Sequence, residues 1–251
     1  MASTAQQIRI RLRSLADPAI ASQCQRFFKT KPGDYAAGDQ FLGIRVPLLR
    51  QQVRHYLDLS AAEATDLLHS SWHEERLMAL LLLVHQFRQG DAQGRQTIFE
   101  LYLSQTAFIN NWDLVDSSAP QIVGAYLMDQ DRQPLYTLVR SANLWERRIA
   151  IVSTLYLIRK GELDQTLVLA ALLQKDPEDL IHKATGWMLR EVGKRDRTKL
   201  KVFLRTYSPT MPRTMLRYAI EHFPEAERQQ YLRGRAIRPF TAARQDLSAS
   251  P

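Results

Sequence analysis

Glu74–Gly90, EERLMALLLLVHQFRQG, decides the fold, because it returns further along the chain as Trp145–Gly161, WERRIAIVSTLYLIRKG. Glu75, Arg76, Ala79 and Gly90 reappear as Glu146, Arg147, Ala150 and Gly161, each 71 residues on. Half of that offset lands near Asn111 and Ile181, where two more helices are expected to begin. Trp72, Trp112, Trp145 and Trp187 fall one to each of these units. A period of roughly 35 to 40 residues, two helices per unit, suits a HEAT-type array. The alternative is an irregular helical bundle. The reading is therefore all-α: a HEAT-like helical-repeat solenoid whose stacked helix pairs curve and whose second helices line a concave face.

The rest of the chain agrees with helices. Apolar residues recur at three- and four-residue spacing, and strand-like alternation is almost absent. About 12 to 14 helices are expected, most of ten to eighteen residues. Pro47 suits the first turn of a helix over Val46–Leu57, Ser60 with Glu63 makes a capping box, and Asp176-Pro177 opens the helix that carries Trp187. Gly90 and Gly161 follow apolar runs, where a left-handed C-cap residue is wanted. One domain is read over residues 1–233. The remainder, 234–251 (GRAIRPFTAARQDLSASP), lacks apolar periodicity and reads as a flexible basic tail.

Composition limits the function. Of 251 residues 45% are hydrophobic, enough for a continuous core. Lys plus Arg number 34 against 26 Asp plus Glu, a net charge of +8 that favours an anionic partner, nucleic acid above all. The single cysteine, Cys24, excludes an intramolecular disulfide or a cysteine-based zinc site and reads as a small buried hydrophobe. The longest apolar runs, Met78–Val84 and Leu167–Leu173, are far shorter than the roughly 20 residues of a membrane span, and no signal-peptide core stands at the N-terminus. A soluble cytoplasmic monomer is expected. There is no Walker loop and no GxGxxG, and the six histidines lack metal-ligand spacing, so neither cofactor nor metal is expected. His182 and His222 read as surface or packing residues.

Two stretches carry candidate chemistry. In NNWDLVDSSAP (Asn110–Pro120), Trp112 and Asp116 are four apart and share a helix face, with Asp113 turned away. In IHKATGWMLREVGK (Ile181–Lys194), Trp187 and Arg190 share a face with Lys183 and Lys194. Taken singly each has a plain reading, a packed indole beside a solvated charge. Second helices of successive repeats lie side by side, however, so Trp112 and Asp116, Arg147 or Arg148, and Trp187 with Arg190 can converge. That places one carboxylate between two indoles, edged by guanidinium groups that keep it ionised and hold phosphates.

At these residues the chain resembles the AlkD-like family of bacterial DNA alkylation repair proteins, which are HEAT-like alkylpurine DNA glycosylases. FLGIRVP (Phe41–Pro47), NWDLVDSSAP (Asn111–Pro120), NLWERRIAI (Asn143–Ile151) and KATGWMLREVGK (Lys183–Lys194) carry the likeness, which spans almost the whole chain. The resemblance implies that Trp112, Asp116, Arg148 and Trp187 form the active-site cluster, with Asp116 rather than Asp113 the catalytic carboxylate. It makes Trp112 and Trp187 its aromatic partners, and Arg190 a DNA contact. Arg148 is expected to hold a phosphate too, and Lys29, Arg45, Lys183 and Lys194, together with the run Lys194–Arg205, are expected to track the backbone of double-stranded DNA. Two positions depart from the family pattern. Phe27 stands where a tyrosine often faces the DNA, and Asn111 where close relatives can have a tryptophan.

The chemistry fits those residues. Methylation at N3 or N7 of a purine makes the base a cationic leaving group, so no strong general acid is required. What needs stabilising is the oxocarbenium-like sugar, and an anionic Asp with indole faces does that. The resemblance further implies excision without flipping the base into a pocket. The competing readings are a non-catalytic HEAT protein that binds distorted or branched DNA, and a protein–protein scaffold. Apolar or acidic anchors on the concave helices would favour the scaffold.

Overall fold

The structure, a computed structural model, describes residues 3–233; the expected basic tail, 234–251, lies outside the described residues. Among them are fourteen α-helices and no strand, only an isolated parallel bridge between Gln40 and Trp72. Helices α1 (Thr4–Ser14), α2 (Pro18–Phe27) and α3 (Val46–Gln52) open the chain. Five pairs follow: α4 (Ala61–Leu68) with α5 (His73–Gln89), α6 (Ala92–Ser104) with α7 (Trp112–Ala119), and α8 (Gln133–Leu138) with α9 (Leu144–Arg159). The last two are α10 (Asp164–Leu172) with α11 (Asp179–Arg195), and α12 (Arg197–Tyr207) with α13 (Arg213–Ala219); α14 (Glu225–Leu232) ends the described chain. Second helices of successive pairs start at residues 73, 112, 144, 179 and 213, which are 32 to 39 residues apart. In space they form one row, α5–α7–α9–α11–α13, backed by the first helices. This is an all-α helical-repeat fold. No helix of the described residues is long and apolar enough to cross a membrane.

Local chemistry explains most boundaries. Asp17 caps α2 by accepting from the Ala19 and Ile20 amides, with Pro18 in the first turn, and Ser60 and Glu63 form the capping box on α4. Asp91, Asn143 and Asp196 cap α6, α9 and α12. Pro120 has no amide hydrogen to continue α7, and the chain widens into a π-helical turn over Pro120–Gly124. Gly161 is left-handed, φ 90°, as expected of a C-cap. Gly90 is not: at φ −71°, ψ 152° it leaves α5 in extended backbone, because Asp91 already caps α6. Seven helices are shorter than expected, six to nine residues long, α8 being the shortest.

The structure also explains the pair of charges that the two stretches share. Glu75 reaches back to Ser70 and Arg9, and Glu146 back to Thr106; Arg76 reaches forward to Asn110, and Arg147 forward to Asp176. Each long helix is thereby strapped to both neighbours. One core cluster runs from Ala5 to Tyr231. Every residue of α5 from His73 to Val84 is buried, which is why Met78–Val84 is apolar all round. The row packs most closely at two glycines. A Cβ on Gly124 would stand 2.1 Å from the Ser153 carbonyl oxygen of α9, and one on Gly186 2.5 Å from the Met215 carbonyl oxygen of α13.

Candidate active site

The N-terminal ends of α5, α7, α9 and α11 share one edge of the row, and segment 28–45 lies over the first two. Glu74, buried in the first turn of α5, fastens that segment: its carboxylate accepts from the amides of Leu42, Gly43 and Ile44 at 2.9, 2.8 and 3.1 Å. Gly43 is left-handed at φ 84°, and a Cβ there would meet the Asp17 carbonyl oxygen at 2.1 Å. Charge-assisted bonds of this kind contribute about 1.5–3 kcal/mol each, enough to hold an irregular segment in place.

Asp116 lies on the second turn of α7 and Arg148 on the second turn of α9. The guanidinium donates from Nε to Oδ1 at 2.9 Å and from Nη2 to Oδ2 at 2.8 Å, while Nη1 donates to the Leu180 carbonyl at 2.7 Å. Arg148 is buried, with only 6% of its side chain exposed, against 18% for Asp116. Arg148 therefore faces the carboxylate, inside the cluster in which it was expected. Of the pair 147 and 148, Arg147 is bound to Asp176 and to the Ser141 and Ala142 carbonyls. Both Asp116 oxygens accept, which is the pairing of an ionised carboxylate. Burial pushes its carboxyl up from the ordinary value, with Arg148 pulling the other way.

Trp112 opens α7. Its ring is not paired with Trp187: Phe28 stacks on it, with centroids 5.3 Å apart and planes at 17°. Phe28 stacks in turn on Phe41, and Phe41 on His73, so four rings run from the helix start into the protein. Phe27 sits edge-on to Trp112 at 6.0 Å and is 67% exposed. Near this ring, Tyr35 lies edge-on to Trp145 at 6.0 Å. Tyr35, in a turn without periodicity, gave no sign of itself in the sequence. Cys24 is half-buried rather than buried and lines an apolar cleft of about 380 Å³ with Phe27, Phe28, Phe41 and Arg45.

The remaining candidates divide in two. Lys183, Trp187, Arg190 and Lys194 form one stripe along α11, the neighbour of α9. Trp187 lies nine residues into its helix, whereas Trp72, Trp112 and Trp145 stand at helix starts; Leu180 takes their place in α11. The cations of the stripe have acidic partners: Lys183 pairs with Asp179, Arg190 with Glu221, and Lys194 with Glu191. Lys29, left-handed at φ 54°, and Arg45 are exposed, and among the described residues neither has an ion-pair partner. A cavity of about 810 Å³ between Phe87, Gln121, Tyr126 and Arg159 is lined from the far ends of α5 and α9; its lining does not include Asp116. Asp116 keeps part of its side chain exposed. Among the described residues no group of three or more His, Cys, Asp or Glu is placed to hold a metal ion.

Comparison with known proteins follows this geometry. The sequence model of a family described as DNA alkylation repair enzyme matches residues 8–223. The solved structure of a predicted DNA alkylation repair enzyme from Enterococcus faecalis is similar, with a TM-score of 0.64 at 17% identity, covering 84% of this chain and 97% of that one. At that identity the likeness is one of fold. No curated protein matches the chain.

Proposed function

Because the chain belongs to the DNA alkylation repair enzyme family, we propose that it is a monofunctional DNA glycosylase of cationic alkylated purines. It hydrolyses the N-glycosidic bond of 3-methyladenine and 7-methylguanine in duplex DNA, as a cytoplasmic monomer. Its helix pairs form one HEAT-like domain, residues 1–233, whose second-helix row lines a concave basic groove for the duplex. The base stays out of any deep pocket; the large cavity near Phe87 and Arg159 is not lined by Asp116.

The observation that carries this reading is the Asp116 carboxylate, half-buried beside Trp112 and aligned by a buried arginine. A carboxylate has about four acceptor sites, and Arg148 takes two. The remaining lone pairs are free for the C1′ carbon as positive charge grows on the deoxyribose, and for the water that attacks it. Arg148 makes the anion available at neutral pH and fixes its orientation, so no reorganisation is needed as the bond breaks. The indoles of Trp112 and Trp187 meet the sugar and add cation–π attraction on the order of 1–2 kcal/mol each when desolvated.

DNA is held elsewhere. The Lys183–Asp179 and Lys194–Glu191 pairs are largely exposed and worth about 0–1 kcal/mol, so phosphates displace those carboxylates at little cost, while Arg190 is half-buried and reaches Glu221 at the surface. Breaking the buried Arg148–Asp116 pair would cost about 3–5 kcal/mol, which keeps Arg148 in place. Lys29, Arg45 and the exposed Phe27 extend the contact along the opposite side.

The test is base release from duplexes that each carry one defined lesion. 7-Methylguanine and 3-methyladenine are excised, while uracil, hypoxanthine and 8-oxoguanine are not, since neutral bases leave poorly without an acid. Efficient removal of uracil or hypoxanthine would overturn the charge-driven mechanism. Binding without release of either methylated base would leave a non-catalytic DNA-binding protein.

A further inference from the structure

We propose that His73 is a positioning residue for the Asp116 site, acting by neutralising Asp113 and fixing the first turn of α7. This rests on the role given to Asp116 above. His73, buried at the start of α5, lies between two carboxylates: Nδ1 is 3.2 Å from Asp39 Oδ2, and Nε2 is 2.8 Å from Asp113 Oδ2. Only the doubly protonated ring donates to both. Asp39 also accepts from Arg76 Nη2 at 2.6 Å and from Asn111 Nδ2 at 3.0 Å. The cluster thus balances two cations against two anions, and burial leaves little room for an unmatched one.

Two of its members belong to α7. Asn111 caps the helix, its side-chain oxygen accepting from the Trp112 amide at 2.8 Å, and Asp113 occupies the first turn. The ring of His73 also ends the stack that continues through Phe41 and Phe28 to Trp112. His73 therefore reaches Trp112 by hydrogen bonds through one route and by stacked rings through another.

Asp113 and Asp116 are three residues apart on one helix, where side chains are neighbours. The charge of Asp113 pushes the Asp116 carboxyl up, and a cation on Asp113 offsets that field. The partners of His73 hold it protonated up to about 9. The other groups facing this region are Arg148 from α9, Tyr102 from α6, Arg76 and Glu74 from α5, Cys24 from α2, and Asp39 and Tyr35 from segment 28–45. Glu74 is occupied by three backbone amides, and Arg76 by Asp39 and Asn110. His73 is the cation in contact with Asp113.

The experiment compares the full chain with His73→Gln, Asp113→Asn and the double variant. The readout is the titration of the Asp116 carboxyl by carbon-13 NMR, assigned with Asp116→Asn. His73→Gln leaves Asp113 unmatched and should raise the Asp116 midpoint by about one pH unit. Asp113→Asn unmasks the His73 cation and should lower it, and the double variant should return it close to the wild-type value. A midpoint that stays put in folded His73→Gln, or a double variant no closer to wild type than its parent, overturns the proposal. A purely structural role would lower the melting temperature of every variant without this reversal of sign. If His73→Gln does not fold, His73→Asn takes its place: its Asp116 midpoint must rise. The titration needs no base release, so shifts as stated in a chain that excises nothing would sink the glycosylase reading and leave this one standing.

Discussion

Arg148 and Asp116 meet edge to edge across the seam between α7 and α9, with two parallel hydrogen bonds of 2.9 and 2.8 Å. A lysine offers one point charge and cannot reproduce that fork. The pair links two consecutive repeats, and it breaks their internal symmetry: 71 residues before Arg148 stands Leu77, a core residue.

Asp116→Asn keeps the shape and removes the anion. Its single-turnover rate of base release should fall roughly 10- to 1000-fold, with DNA affinity nearly unchanged. Asp113→Asn should instead lose stability, because it breaks the bond to His73. Equal rate losses in both, tracking thermal stability, would make Asp116 a structural residue.

Arginine substitutions should separate by burial. Arg148→Ala leaves a buried carboxylate unpaired and should destabilise the fold by about 3–5 kcal/mol, without changing the salt dependence of DNA binding. Lys183→Ala, Arg190→Ala and Lys194→Ala should each reduce the slope of log K against log salt by about one, at little loss of stability. Binding isotherms at several salt concentrations, with unfolding curves, check both halves. A reduced slope in Arg148→Ala would return that residue to the DNA interface.

Base release should depend on pH through Asp116. Burial raises its carboxyl above the ordinary aspartate value of about 3.9, so activity should be lost as pH falls through a midpoint higher than that. A pH–rate profile on a stable 7-methylguanine duplex measures it. A midpoint at or below the ordinary value would mean that Arg148 outweighs burial.

The stability of the fold should fall on the alkaline side. The pKa of His73 is raised from 6.5 to about 9, so its contribution is complete below about 6.5 and is lost as pH rises through 9. The amount is on the order of 3 kcal/mol. Urea unfolding between pH 6 and 10 should show the decline in the wild type and a flatter profile in His73→Gln. Parallel profiles would contradict it.

Adjacent phenylalanines should behave differently. Phe28 is buried in the ring stack, and Phe28→Ala should cost about 3–5 kcal/mol of stability. Phe27 is mostly exposed, so Phe27→Ala should leave the melting temperature almost unchanged and weaken DNA binding. A large stability loss from Phe27→Ala would mean that the ring is structural.

The repeat made the helix pairs legible, because each long helix is buried between two neighbours and repeats its straps. The Trp112–Asp116 face was legible because residues four apart on a helix are neighbours. The surroundings of that face were not. Asp113, turned away from Trp112 in the helix register, is held by a histidine 40 residues earlier in sequence, and Asn111 by an aspartate in a loop. Neither the helix start at His73 nor the loop position of Asp39 has a period to betray it. Phe28, just past the end of α2, stacks on Trp112, a contact between loop and helix that no spacing announces. Gly90 misled because capping of the next helix decided its backbone.

Gly124 acts as a shim. Its missing side chain sets how near α9 can come to the continuation of α7, eight residues past Asp116 and five past Arg148 on the partner helix. Adding one methyl group there would prise the seam open and pull the fork away from the carboxylate, though nothing at position 124 touches the site. Mutational tolerance at this position would therefore mimic that of a reacting residue. An engineer seeking room for larger adducts would gain it by resetting the gap between helices, not by paring down the site itself.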